Sequence, residues 1–214
     1  MIKFLACLSL LAFGTAQATV IDTTTGGYVS VSPFGEPTTA TFGQTITTDS
    51  SGGYLDNFSF YMTGLSENFK AYVYAWDGFK AVGNALYDSA TTNIGNPGST
   101  FQEVTFNPNV LLAGSTQYVL FFSTAGFHDG VTNVNSWGYV DNENAYIGGS
   151  FVYDRNGNDF LQLTTNRWDS HGTDGWGDLA FKLQISAVPE PSAISAFFLG
   201  MGVVLTAFRR KHKR

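Results

Sequence analysis

From Tyr28 onward the chain runs in short stretches in which apolar and polar residues alternate, or β-branched and aromatic residues cluster: TFGQTITT, LDNFSFYM, FKAYVYAW, TFQEVTF, TQYVLFFS and DLAFKLQIS. A period of two sends successive side chains to opposite faces, so these stretches predict β-strands. Between them lie TTDSSGG, NIGNPGST and DRNGND, whose Gly, Asn, Asp, Ser and Pro supply the backbone angles of tight turns. No stretch between the two ends keeps a helical apolar period over several turns. The pattern predicts an all-β body over residues 19–187, an antiparallel β-sandwich of jelly-roll-like arrangement. One unit, FNPNVLLAGSTQYVLFF, reads locally as a turn at Asn107–Asn109, then Val110, Leu111 and Leu112 packing inward. A second turn at Gly114–Ser115 opens the next strand.

The two ends break this pattern. MIKFLACLSLLAFGTAQA carries Lys3, an apolar core from Phe4 to Phe13, and small residues at Ala16 and Ala18. That three-part order predicts a signal peptide over residues 1–18, cleaved after Ala18. Its core is too short for an anchor, which needs about 20 apolar residues. At the other end residues 192–208 carry no charge and only Ser195 and Thr206 as polar side chains beyond the opening serine. This predicts a single transmembrane helix near the short limit of about 17 residues, the alternative being a buried terminal helix. Gly200 and Gly202 would let another helix approach closely. Arg209, Arg210, Lys211, Lys213 and Arg214 follow at once, and basic clusters stay on the cytoplasmic side, so the body is expected to face outward.

Val188, Pro189, Glu190 and Pro191, followed by an apolar helix and a basic end, resemble a PEP-CTERM sorting signal over residues 188–214. The resemblance implies an exported protein of a Gram-negative bacterium that makes extracellular polysaccharide. It also implies recognition at Pro-Glu-Pro by exosortase, a membrane-embedded cysteine protease-like transpeptidase. The prolines suit that role, because they lack backbone donors and hold the segment extended. A plain linker before an anchor would use them in the same way. The strand progression of the body, ending directly before VPEP, is more loosely similar to the β-sandwich ectodomains of such proteins, and that likeness implies no particular biochemical activity.

Charge and candidate chemistry narrow the body further. Between Thr19 and Val188 five Lys and Arg face sixteen Asp and Glu, a net charge of −11. Such a surface repels phosphates, so no nucleic-acid partner is expected. Cys7 is the only cysteine and lies in the first apolar core, leaving the body without disulfide, thiol nucleophile or thiolate metal site. No G-x-S-x-G elbow occurs, and His128 and His171 sit in loop-like FHDG and DSHGTDG, so no catalytic residues are assigned. Glu36, Glu67, Glu103 and Glu143 read as isolated on turns, strands or a polar loop. No segment sets a carboxyl in the apolar surroundings that a glycosidase proton donor needs.

Two constellations remain. DRNGND places oxygen ligands at Asp154, Asn156 and Asn158, a spacing hard cations favour, making calcium the one candidate cofactor. Asp159 stands where an EF-hand loop has glycine, and a hairpin turn explains the same residues. Asp169, Asp174 and Asp178 form a second acidic group. Trp76, Trp168 and Trp176 stand beside polar turn residues, where sugar rings can stack, although Trp137 and the others equally suit a sandwich core. The expectation is an exported, non-catalytic surface or matrix protein. The alternative is a carbohydrate-binding module acting on extracellular polysaccharide with calcium assistance, and a hydrolase ranks below both.

Overall fold

The computed structural model describes residues 18–127, 135–140, 145–170 and 177–188. Outside them lie Ala16, the helix expected over 192–208, the basic tail, Pro189–Pro191, His128, Glu143, His171, Asp174 and Trp176. Among the described residues no helix is long and apolar enough to cross a membrane.

The alternating stretches do form strands: β1 (Thr19–Asp22), β2 (Val29–Phe34), β3 (Thr41–Thr47), β4 (Gly53–Gly64), β5 (Asn68–Trp76), β6 (Ala81–Asp88), β7 (Thr92–Asn93) and β8 (Gly98–Phe106). There follow β9 (Val110–Leu112), β10 (Gln117–Ser123), β11 (Asn135–Val140), β12 (Phe151–Asp154), α1 (Gln162–Thr165), β13 (Asp169–Ser170), β14 (Asp178–Leu179) and β15 (Phe181–Ser186). They build two antiparallel sheets, a β-sandwich. The first runs β1-β15-β4-β11-β14, with β2 on β11 and both β8 and β9 on β4. The second runs β13-β12-β3-β10-β5-β6, with β7 on β5. The α-helix is a single turn, as the missing helical period requires.

Period-two packing explains the core. Phe69, Ala71 and Val73 of β5 and Leu120 and Phe122 of β10 point between the sheets, against Phe58, Phe60, Phe106, Trp137 and Phe181. The intervening Tyr72, Tyr74, Val119 and Phe121 point outward, yet they are buried as well, in a second cluster with Val152, Leu163 and Trp168. The segment that carries α1 covers this outer face. Central strands buried on both faces read as continuous apolar runs, which accounts for YVLFF. Gly43 on the same face has no room for a side chain, since a Cβ there would meet Phe121 Cβ at 2.7 Å.

The local reading of VLL needs correction. Leu112 is buried and Val110 half-buried, but Leu111 is 55% exposed. These residues form β9 and pair with Gly53–Leu55, so the middle one must point away from its neighbours.

A polar clamp ties the sheets together. Gln44 of β3 donates from Nε2 to Asp178 Oδ1 at 2.8 Å, and its Oε1 accepts from the Leu179 N–H at 3.0 Å. Asp178 Oδ2 accepts from the Tyr146 N–H at 2.8 Å. Burial pushes the Asp178 carboxyl up to about 6, against these hydrogen bonds, which favour the charged form. The folded chain therefore holds this proton more tightly than the unfolded chain does. The stability Asp178 contributes is complete below its unfolded value near 3.8 and is lost as pH rises through about 6. Between pH 7 and pH 5, unfolding free energy measured in urea should rise on the order of 1 kcal/mol more in the parent than in Asp178→Asn.

Candidate functional site

Trp76 closes β5, and the turn after it is fixed by Asp77. Asp77 Oδ1 accepts from the Phe79 N–H at 2.8 Å and the Lys80 N–H at 2.9 Å, while Gly78 adopts a φ of 98° that favours glycine. The turn presents Phe79 outward, 51% exposed. Its carbonyl accepts from the Trp168 N–H at 3.0 Å, joining the turn to the segment after α1. That bond brings Arg167 over the Phe79 ring, with the guanidinium carbon 4.6 Å from the ring centre.

Between these groups lies a depression of about 110 Å³ on the outer face of the second sheet, with Thr45, Gln117, Ser150 and Val152 in its lining. Gln117 is half-buried, and its side-chain amide makes no hydrogen bond among the described residues. Thr45 is committed: its Oγ1 donates to the Ser150 carbonyl at 3.2 Å and accepts from the Ser150 N–H at 2.9 Å. A half-buried indole, an open phenyl ring, a guanidinium and an amide thus share one small basin. Such a set can stack on an apolar ring face and hydrogen-bond hydroxyls at its rim.

Trp176 lies outside the described residues, and the structure treats the other two candidate tryptophans differently. Trp76 and Trp168 meet edge to face, with centroids 5.3 Å apart. Of these two, Trp76 keeps exposed surface. Trp168 is 2% exposed, its ring edge-on to Phe121 at 5.2 Å and its Nε1–H donating to the Leu163 carbonyl at 2.8 Å. It has no face open to a sugar and serves as the core on which Trp76 rests. Trp137 is buried between the sheets. Phe79, Arg167 and Gln117 were missed in the sequence, where nothing marks them out; their grouping depends on contacts between distant segments.

The acidic groups separate as well. Asp169 lies on β13 of the second sheet and Asp178 on β14 of the first, and Asp174 lies outside the described residues. In DRNGND, Asp154 and Asn156 are buried, whereas Asn158 Oδ1 is engaged by the Gly126 N–H. Burial pushes the Asp154 carboxyl up to about 6, with the Asp169 charge adding and the Arg155 N–H opposing. The fold thus buries the carboxyls of Asp154 and Asp178. Glu67 corrects the reading of isolated glutamates: it is buried, and accepts from Asn135 Nδ2 and, at 3.3 Å, from the Glu36 N–H. A second cleft of about 180 Å³ opens between the sheets, with Pro33, Phe42, Phe151, Tyr153 and Arg155 in its lining.

No protein-family model matches the sequence, and no curated relative does. The fold is found in solved bacterial structures. The cysteine protease and lectin-like domains of Cwp84, a surface layer associated protein of Clostridium difficile, superpose with a TM-score of 0.52 at 8% identity, over 80% of this chain and 36% of that one. Clostridial cysteine protease Cwp84 after propeptide cleavage superposes at 0.54 and 9% identity, over 80% and 40%. This chain spans well under half the length of either. At such identities the likeness is one of fold. CsCBM6-3 from Clostridium stercorarium in complex with cellobiose reaches a TM-score of only 0.34 at 16% identity, over 67% of this chain and 85% of that one, too poor a superposition to bear on this chain.

Proposed function

We propose that the body is a non-catalytic carbohydrate-binding β-sandwich, which binds extracellular polysaccharide through the basin at Trp76. The observation that carries this reading is the convergence of Trp76, Phe79, Arg167 and Gln117 on one polar depression. The aromatic rings suit the apolar faces of pyranose rings, and the guanidinium and amide suit their hydroxyls. The passage of the chain back and forth between the sheets supports classing the sandwich with the jelly rolls. Residues 1–18 would export the chain, and the segment from Val188 would hold it at the membrane until an exosortase-type enzyme acts at Pro189–Pro191. Delivery and binding then fit one role, a surface or matrix protein attached to the cell's own polysaccharide.

Titration of the purified chain with that polysaccharide in a calorimeter tests the binding role. Trp76→Ala is expected to weaken binding tenfold or more, about 1.4 kcal/mol, with melting temperature little changed because the ring is partly exposed. Tyr153→Ala, in the other cleft, should leave affinity intact. Absence of heat with the parent chain, or loss through Tyr153→Ala alone, would sink the assignment to this basin. The sorting role has its own measurement: intact mass of the extracellular form should lack residues 1–18 and everything beyond the Pro-Glu-Pro segment, and retention of Arg214 would exclude it.

A further inference from the structure

Asp154 ends β12 and pairs with Thr41 of β3, and Asn156 lies in the loop that leaves the strand. Asp154 is 8% exposed and Asn156 3%. Each keeps one buried side-chain oxygen without a hydrogen-bond partner, Asp154 Oδ2 and Asn156 Oδ1. A buried polar oxygen left unpaired costs about 1–3 kcal/mol, and more when charged. Two of them, two residues apart in one loop, call for a common partner.

Among the described residues the surroundings supply none. Asn156 Nδ2 already donates to the Asp159 carbonyl at 3.2 Å. The Thr41 hydroxyl donates to Ser123 Oγ at 2.8 Å. Arg155 turns to the Tyr153 ring, 5.7 Å from its centre, and Lys70 is paired with Asp88 at 2.7 Å. Asp169 adds negative charge nearby. The loop is pinned against the segment before β3 by the Gly157 N–H, which donates to the Thr38 carbonyl at 3.0 Å. The Arg155 N–H is the one donor that acts on the Asp154 carboxyl among the described residues.

We propose that Asp154 and Asn156 are ligands of a bound calcium ion, held where the loop after β12 folds against the second sheet. A donor set of carboxylate and amide oxygens, completed by water, suits calcium, which accepts six to eight oxygens in irregular geometry. Magnesium demands a tighter octahedron than such a set provides. The ion would also brace the outer core, because Phe160 in the same loop packs on Tyr72 with centroids 4.8 Å apart. The proposal stands independently of the sugar reading, since it concerns the chain without saccharide.

The test uses the full chain, stripped with chelator and dialysed, then titrated at neutral pH with calcium chloride alone. Calorimetry should give one strong site per chain. At a hundredfold excess over Kd the melting temperature should rise by about 5–10 °C, and magnesium should produce a much smaller rise. Asp154→Asn and Asn156→Ala should each abolish the calcium response; the second keeps the test open should the first fail to fold. No heat and no shift with the parent chain would overturn the proposal. So would a calcium response undiminished in both variants, which would place binding among exposed carboxylates, or an equal response to magnesium.

Discussion

Phe122→Ala is expected to lower the unfolding free energy by about 3–5 kcal/mol, the largest effect of any single substitution considered for this protein. Phe122 is completely buried at the centre of β10. Its ring stacks on Phe69 at 4.9 Å and meets Phe60, Phe106 and Trp137 at 5.2, 5.1 and 5.0 Å. These partners come from both sheets, so deletion opens a cavity that neither sheet can close without moving the other. The loss includes the transfer term for the ring, the cavity term, and the edge-to-face contacts. The urea midpoint should fall with little change in slope. Phe122→Leu, which keeps most of the volume, should recover more than half of the loss, and a cost below about 1 kcal/mol for Phe122→Ala would show that the cluster is loosely packed.

Gln44→Leu is expected to cost about 2–4 kcal/mol although it fills nearly the same space. The damage falls on the partners. Asp178 Oδ1 and the Leu179 N–H, both buried, lose the amide that satisfies them, and burial already disfavours the Asp178 charge. The residues are 134 positions apart, and the bond joins strands of opposite sheets. The substitution therefore weakens the registration of one sheet on the other. Combining Gln44→Leu with Asp178→Leu should cost clearly less than the sum of the single changes, because the pair removes the unpaired charge together with its partner. Strict additivity in that cycle would deny the clamp.

Both effects fall in places the sequence describes unevenly. That Phe122 is a strand residue is legible from TQYVLFFS, but that Phe121 beside it is buried on the opposite face is not. An exposed face would have been polar, and only the loop running from β12 through α1 to Trp168 makes that face a second core. Gln44 shares a strand face with the core residues Phe42 and Ile46, and nothing near it in the chain announces Asp178. The candidate site divides in the same way. Trp76 and Trp168 stand out in sequence as equivalent aromatics beside turns, and packing makes one a core residue and leaves the other at the rim. DRNGND is legible as a cluster of oxygen side chains, and the structure buries Asp154 and Asn156 while the Gly126 N–H donates to Asn158 Oδ1.

By itself the sequence determined the strands, the turns between them and the all-β class. These follow from local covalent geometry: a period of two, the φ freedom of glycine, and the missing donor of proline act over a few residues. Tertiary structure alone decided which faces are covered, which carboxyls sit out of water, and that Arg167 lies over Phe79 beside Trp76. Those outcomes depend on segments tens of residues apart excluding water together. No local pattern encodes the distance between them.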